Sequence, residues 1–341
     1  MIRVAALTSS RDDPSSRFRI RQFIPRLAEL GIHAVEFRPW MSKYAPAGLQ
    51  LTGVTPASRV YAILAARNYD VTWLNRELIT GRHTLERFAG RRLLFDVDDA
   101  IWLSGRRGFA QRIASRATGV IAGNQAIADY FRPHARRVWI VPTSVDTEKW
   151  SPPERPQGRP AGGPWVIGWS GTWWNLQYLY GIEKALSAFL NDHQDARLLV
   201  ICDRPPAFQL LKADQWSFLR WSPENEVSGV QSMDVGLMPL DDTEWTRSKC
   251  ALKMLCYQSV GLPAIVRPVG VAAEMLGTGP DPTGFAAVTA DDWYEHLHTL
   301  YRDRALATRM GQAGRKSVWE RYSVDRSVLL LSRIFEDVAC A

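Results

Sequence analysis

The sequence predicts an α/β protein built from two doubly wound, Rossmann-like domains, and three observations carry that expectation. Short apolar runs alternate with amphipathic stretches along nearly the whole chain, the pattern of a parallel sheet covered on both faces. The alternation is broken by the Pro/Gly-rich stretch SPPERPQGRPAGGP at residues 151–164, which reads as a linker. The length of 341 residues suits two domains of roughly 150 residues each.

In the first half the expected strands are VAAL, HAVEF, DVTWL, RLLFDV, GVIAG and VWIVP. Between the first two, RFRIRQFIPRLAELG sets Phe23, Leu27 and Leu30 at three- and four-residue steps, and Gly31 stops the helix. After the linker, WVIGWSG, RLLVICD, SFLRW, DVGLMPL and LPAIVRP read as strands, with helices around 175–190, 205–213, 224–231 and 248–260. Beyond residue 290 only helical periods remain. The expected domains are residues 1–150 and 165–322, followed by a last helix at 323–341. In such sheets ligands bind beyond the carboxyl ends of the strands, so two facing domains would share a cleft lined by strand-end residues.

Composition narrows the class. With 46% hydrophobic and 23% charged residues, the chain can fill two ordinary cores and is not disordered. Cys202, Cys250, Cys256 and Cys340 match neither a metal-site spacing nor a disulfide framework. No apolar run approaches the roughly 18 residues of a membrane span, and the start MIRVAALTSSRDD lacks a signal-peptide core. A cytoplasmic protein is expected. Residues 1–150 carry 23 Lys/Arg against 13 Asp/Glu, whereas residues 151–341 carry 19 against 22. The basic half suits an anionic partner or a solvated arginine-rich surface. The arginines are dispersed and no recognition motif accompanies them, which argues against nucleic acid.

The strand ends hold the candidate chemistry. Ser15, Ser16, Arg17 and Arg19 follow the first strand at the start of a helix, where an anion is favoured; either serine serves equally as an N-cap. Arg76 and Glu77 follow the third strand, as a cleft-edge pair or an exposed ion pair. FDVDDAIW places Asp96, Asp98 and Asp99 within four residues. Such carboxylates repel one another unless a cation, donor or proton compensates. Asp96 and Asp98 share a face by strand alternation, and the cluster suits a divalent metal, sugar hydroxyls, a base or a helix cap. In the second half IGWSGTWWN turns from strand to helix through Gly168 and Gly171. It is neither a Gly-x-Gly-x-x-Gly fingerprint nor a Walker loop, which argues against an NAD dehydrogenase and a P-loop ATPase. Further on, Arg247, Lys249 and Lys253 lie near a helix start, with the two lysines four apart on one expected helical face. They read as an anion site, or Lys253 snorkels from an amphipathic helix.

On these residues the sequence resembles the family-4 glycosyltransferases, retaining nucleotide-sugar enzymes of GT-B fold. It is most similar to a bacterial subgroup with a DDAIW strand end. The matching motifs are FDVDDAIW, GVIAGN, IVPTSVDTEKW, IGWSGT and the block DVGLMPL…K…Y…GLP, and ERYSVDRSV resembles the crossing where the last helix returns to the first domain. The resemblance implies a UDP-, GDP- or dTDP-sugar donor on the second domain, with no metal or other cofactor required. Gly171 and Thr172 would face the diphosphate and Lys253 would neutralise it. Gly270 and Val271, before Glu274, would give backbone N–H groups, Trp221 would lie by the base, and Trp173, Arg247, Ser248, Lys249 and Tyr257 would complete the donor side. Asp98, with Asp99 beside it, stands where many relatives have a histidine near the reacting sugar. The first domain, through Ser15, Ser16, Arg17, Arg19, Arg76 and Glu77, would take a polysaccharide, lipid-linked or natural-product acceptor. A lipid-linked acceptor implies peripheral contact with the inner face of an anionic membrane.

Two features depart from the family pattern. Its two glutamates with seven residues between them are Ser248 and Cys256 here, and the Arg and Lys that follow its Gly-rich turn are Trp173, Trp174 and Asn175. These departures keep a second reading open, a non-catalytic nucleotide-sugar binder. A sugar-nucleotide epimerase on the same scaffold would need an acid/base constellation that the six histidines do not supply.

Overall fold

The structure is a computed structural model that describes residues 1–40, 54–153, 163–277 and 281–340. Most of the expected linker, residues 154–162, lies outside the described residues, as does Ala341. The described residues form two compact units. The first comprises Met1–Ser144, Ser248–Cys250 and Val324–Ala341, and the second Val145–Arg247 and Ala251–Ser323. The change of domain expected after residue 150 thus falls at 144/145, and the tripeptide at 248–250 joins the first unit.

The first unit holds one parallel sheet of β1 (Ile2–Leu7), β2 (Ile32–Phe37), β3 (Val71–Asn75), β4 (Leu93–Val97), β5 (Gly119–Ala122) and β6 (Val138–Ile140), in the order β2-β1-β3-β4-β5-β6. All five central residues of β3 and of β4 are buried, as strands covered on both faces require. Alternation sorts them. Leu74, Phe95 and Val97 pack with Ile63, Phe109 and Phe131. Trp73 and Leu94 point the other way, against Phe23, Leu27, Leu331 and Phe335. The final helix Val324–Cys340 therefore completes one face of the first unit, with Phe335 edge-on to Trp73 at 5.1 Å.

The second unit repeats the plan with β7 (Trp165–Ser170), β8 (Ala196–Cys202), β9 (Trp216–Arg220), β10 (Val235–Met238), β11 (Ala264–Val266) and β12 (Gly284–Ala286), all parallel in the order β12-β11-β10-β7-β8-β9. The direction of strand addition reverses between β1 and β3 and again between β7 and β10. These are the switch points at which doubly wound sheets open for ligands. No helix among the described residues is long and apolar enough to cross a membrane.

Three local expectations are corrected. Residues 205–213 are not helical. The buried Glu183 carboxylate accepts the N–H groups of Gln209, Leu210 and Leu211, so a distant side chain takes the bonds a helix would have formed, after Pro205 and Pro206 have already disfavoured one. The helix expected at 248–260 spans only Leu252–Ser259, because Ala251 adopts φ +52. Lys249 and Lys253 consequently do not share a helical face. The long first helix is broken into a wide turn Ser16–Ile20, a tight turn Arg21–Phe23 and a helix Ile24–Glu29 that carries Pro25 in its first turn.

Candidate functional site

In the first unit the acidic strand end is answered cation by cation. Asp96 lies on the Trp73 face of β4 and is fully buried. Arg19, 1% exposed, donates to both of its oxygens at 2.8 and 3.2 Å, and Trp73 Nε1 donates at 3.0 Å. Arg19 also donates to the Val141 carbonyl, so its charge is turned inward. Past the strand, Asp98 Oδ1 accepts from Arg76 Nε at 2.6 Å and from Ser15 Oγ at 2.8 Å. Asp99 accepts from Arg76 Nη2 at 2.8 Å and lies 3.7 Å from Lys249 Nζ. Arg76 holds this fork in the left-handed region, at φ +58, a conformation that the Cβ of an L-residue disfavours and hence one that its surroundings impose. Burial by itself would raise the Asp98 carboxyl, but Arg76, Arg19 and the Ser15 hydroxyl outweigh it and hold the group below the ordinary carboxylate range.

The serines are not caps: neither the Ser15 nor the Ser16 side chain caps the turn that follows. Ser15 accepts from Asn75 Nδ2 at 2.9 Å, and Ser16 accepts from the Ser9 N–H and bonds Asp13. Arg17 lies over the Phe18 ring, 5.3 Å from its centroid. Glu77 accepts from the Gly81 N–H at 2.9 Å. Ser15, Arg76, Asp98 and Asp99 are thus brought together, whereas Arg19 is buried behind them.

The tripeptide at 248–250 belongs to this unit. Asn124 caps the helix Gln125–Phe131 and donates to the Ser248 carbonyl at 2.8 Å. Cys250 donates to the Asp98 carbonyl, and burial pushes its thiol up to about 12. Ser248 and Lys249, expected on the donor side, therefore make these contacts within the first unit.

In the second unit β7 runs into Gly171 and Thr172 before the short turn Trp173–Asn175. Gly171 is required by crowding: a Cβ there would stand 2.7 Å from the Trp169 ring and 2.8 Å from Lys253 Cε. Lys253 Nζ lies 5.6 Å from the centre of Trp169. One turn further along the same helix, Tyr257 is fully buried beneath the turn, accepts the Ser170 N–H at 2.9 Å, and packs its ring where Gly236 leaves room. Tyr257 is a support of the turn, and burial raises its phenol. The structure thus gathers Gly171, Lys253 and Tyr257 at the β7–β10 switch point. A lysine beside a strand-to-helix turn at a switch point is an arrangement that can hold a diphosphate.

The other residues expected on the donor side lie at further strand and helix ends of the second unit. Gly270, at φ +51, opens the helix Val271–Leu276, with Glu274 in its first turn. Any side chain at 270 would meet the Arg247 carbonyl. The Arg247 guanidinium is exposed and bonded to Asp242 at 2.6 Å. Trp221 follows β9 and donates its N–H to the Cys202 carbonyl at the end of β8. Trp173 stacks on Trp174, with Arg204 at 4.2 Å from its ring centre, and its N–H donates to Asp203. Sequence reasoning missed Asn75 and Asp203, although their strand-end positions were a usable signal. Arg59, buried in the middle of a helix, offered none.

No protein-family model and no curated protein sequence matches the chain. Solved structures do. A sucrose-phosphate synthase from Thermosynechococcus elongatus superposes with TM-score 0.74 at 15% identity, covering 99% of each chain. Anabaena HepE, solved with UDP and glucose, gives 0.67 at 13% identity over 99% of this chain and 100% of its own. A glycosyltransferase from Rickettsia africae gives 0.68 at 12% identity, covering 99% and 98%. With two parallel six-stranded sheets and likeness over its full length, the chain has the GT-B fold.

Proposed function

We propose that this protein is a glycosyltransferase of the family-4 type that moves a sugar from a nucleoside-diphosphate sugar to a hydroxyl acceptor with retention of anomeric configuration. The observation that carries the reading is the meeting of Gly171 and Lys253 at the switch point of the second unit. The likeness to HepE, whose structures hold UDP, glucose and UDP-glucose, supports a donor of that class. In this reading the bond from the sugar carbon to the diphosphate oxygen breaks as the bond to the acceptor oxygen forms. The acceptor proton passes to the leaving diphosphate, and Lys253 stabilises the charge that develops there. Arg247, Trp221, Thr172 and the N–H groups of Gly270 and Val271 border the donor. Ser15, Arg76, Asp98 and Asp99 form the acceptor-side cluster of the first unit.

The test is thermal shift with UDP, GDP, dTDP and their sugars on the wild type and Lys253→Ala. A rise with one diphosphate that is lost in the variant supports the reading, and the absence of any rise in folded protein overturns it. The anomer of the product, read by proton NMR, checks retention. The basic first half supports a lipid-linked acceptor at an anionic membrane face; no sedimentation with phosphatidylglycerol vesicles at low salt would sink that part. Ser248 and Cys256, in place of carboxylates, favour the non-catalytic binder as the second reading, which predicts nucleotide-sugar binding without turnover.

A further inference from the structure

The helix Phe109–Ala114 turns Phe109, Ala110, Ile113 and Ala114 into the core over β4 and β5 and leaves Arg112 exposed, with Arg116 exposed just beyond its end. Arg116 Nη1 lies 3.2 Å from Nε2 of His83, on the segment between β3 and β4. Since the Thr118 N–H bonds the carbonyl of Leu93, the first residue of β4, Arg116 stands at the amino edge of the sheet. Arg76 and Asp98 directly follow the carboxyl ends of β3 and β4, at the opposite edge. His83 is a meeting point of like charges. Burial and the guanidiniums of Arg116, Arg112 and Arg87 hold its imidazole below the ordinary histidine value, against the opposing pull of Glu86. At neutral pH the ring is therefore uncharged, and Nε2 accepts from Arg116, which can only donate. Glu86 offers no ion pair: it is 1% exposed, and its oxygens accept the N–H groups of Leu78 and Thr84. The exposed guanidiniums are answered by neutral groups. Arg112 Nη2 donates to the Arg107 carbonyl at 3.2 Å, and Arg87 lies over the Phe88 ring, 4.5 Å from its centre. Among the described residues no carboxylate forms an ion pair with Arg87, Arg112 or Arg116.

Three guanidiniums around one neutral imidazole repel one another and leave the counter-charge to come from solution. A phosphate monoester supplies it, with close to two charges and three free oxygens for the planar forks of arginine. It also acts on His83. An anion beside the ring favours its protonated form, so the ring gains a proton and Arg116 turns from the imidazole to the ligand. We propose that His83, Arg87, Arg112 and Arg116 form a binding site for a phosphate monoester, carried by a lipid headgroup or by a soluble molecule. The site lies away from the switch point of the first unit and does not depend on the glycosyltransferase reading.

The full-length protein is titrated by calorimetry with glycerol 3-phosphate and with phosphatidylcholine vesicles that carry phosphatidic acid or phosphatidylglycerol at equal surface charge. UDP, GDP and dTDP are titrated in parallel. Wild type is compared with the double variant Arg112→Gln, Arg116→Gln, with His83→Gln and with Lys253→Ala. The expected result is that a phosphate monoester binds the wild type and Lys253→Ala alike and binds about tenfold more weakly to the double variant. The melting temperature and nucleotide affinity of the double variant stay unchanged. Binding takes up more protons in wild type than in His83→Gln, read from titrations in two buffers of different ionisation enthalpy. Glycerol 3-phosphate binding assigns a soluble ligand, and a preference for phosphatidic acid over phosphatidylglycerol assigns a lipid headgroup. The proposal is overturned if neither monoester binds, if the double variant binds as the wild type does, or if the loss appears in Lys253→Ala instead. Equal binding of the two anionic lipids without glycerol 3-phosphate binding also overturns it, since that is a diffuse electrostatic contact. Failure of every nucleotide is a separate result and bears on the glycosyltransferase reading alone.

Discussion

The two switch points, alike in topology, are furnished in opposite ways. At the first, between β1 and β3, side chains crowd together and answer one another: Arg76 forks to Asp98 and Asp99, Ser15 bridges Asp98 and Asn75, and Arg19 is sealed against Asp96. At the second, between β7 and β10, no lattice of ion pairs forms; Trp169 and Lys253 pack so closely on the turn that residue 171 has no room for a side chain. A prearranged polar lattice suits a ligand recognised by fixed hydrogen bonds, whereas a turn with one cation beside it suits an anion whose charge changes during reaction. The difference is one between selecting and stabilising.

Substitutions can break this contrast in descending order of effect. Asp96→Ala strands the buried Arg19 charge and the Trp73 N–H, so the first unit should lose about 3–5 kcal/mol. Calorimetric melting will check that, with binding of whichever nucleotide the thermal-shift panel identifies expected to persist. Lys253→Ala should do the converse, lowering the transfer rate by about 100–1000-fold while the melting temperature moves little; initial rates with the donor identified by thermal shift are the measure. Gly171→Ala should overpack the turn, at about 1–3 kcal/mol, and displace Lys253, weakening nucleotide affinity in titration. The smallest effect is that of pH. Asp98 is held below its unfolded value of about 3.9, so its stabilising contribution is complete above that value and disappears as pH falls through the lower folded one. Wild type and Asp98→Asn should therefore differ in melting temperature at pH 6 and converge below about pH 4. A constant difference would mean that the carboxylate charge is not what Arg76 holds.

The sheets were legible in sequence because buried parallel strands are continuous apolar runs, and eleven of the twelve appear as such; β12, the edge strand Gly284–Ala286, reads GFA and offers a single large apolar residue. Helices were less legible wherever a distant group overruled local period. Glu183 unmade the apparent helix at 205–213, and the positive φ of Ala251 cut the one at 248–260. Strand-end position found Asp98, Asp99, Arg76 and Ser15, but not their pairing. The charge balance of the acidic cluster depends on Arg19, Arg76 and Lys249, which stand 77, 22 and 150 residues from their partners. No local pattern encodes separations of that kind. Trp173, Trp174 and Asn175 depart from the family pattern in sequence, yet Arg204, which brings a cation to that turn, is visible only in three dimensions.

The return of Val324–Cys340 to the first unit has a bearing on how the chain is made. The face of β1, β3 and β4 that presents Val4, Trp73 and Leu94 is closed by Leu331 and Phe335. During synthesis that apolar surface must wait while residues 145–323 emerge, an interval of roughly 10–40 s at about 5–20 residues per second. The second unit, whose two segments emerge before that helix, can finish first, and the nascent first half passes that time with one face of its sheet only partly covered, the state in which a ribosome-associated chaperone would meet it.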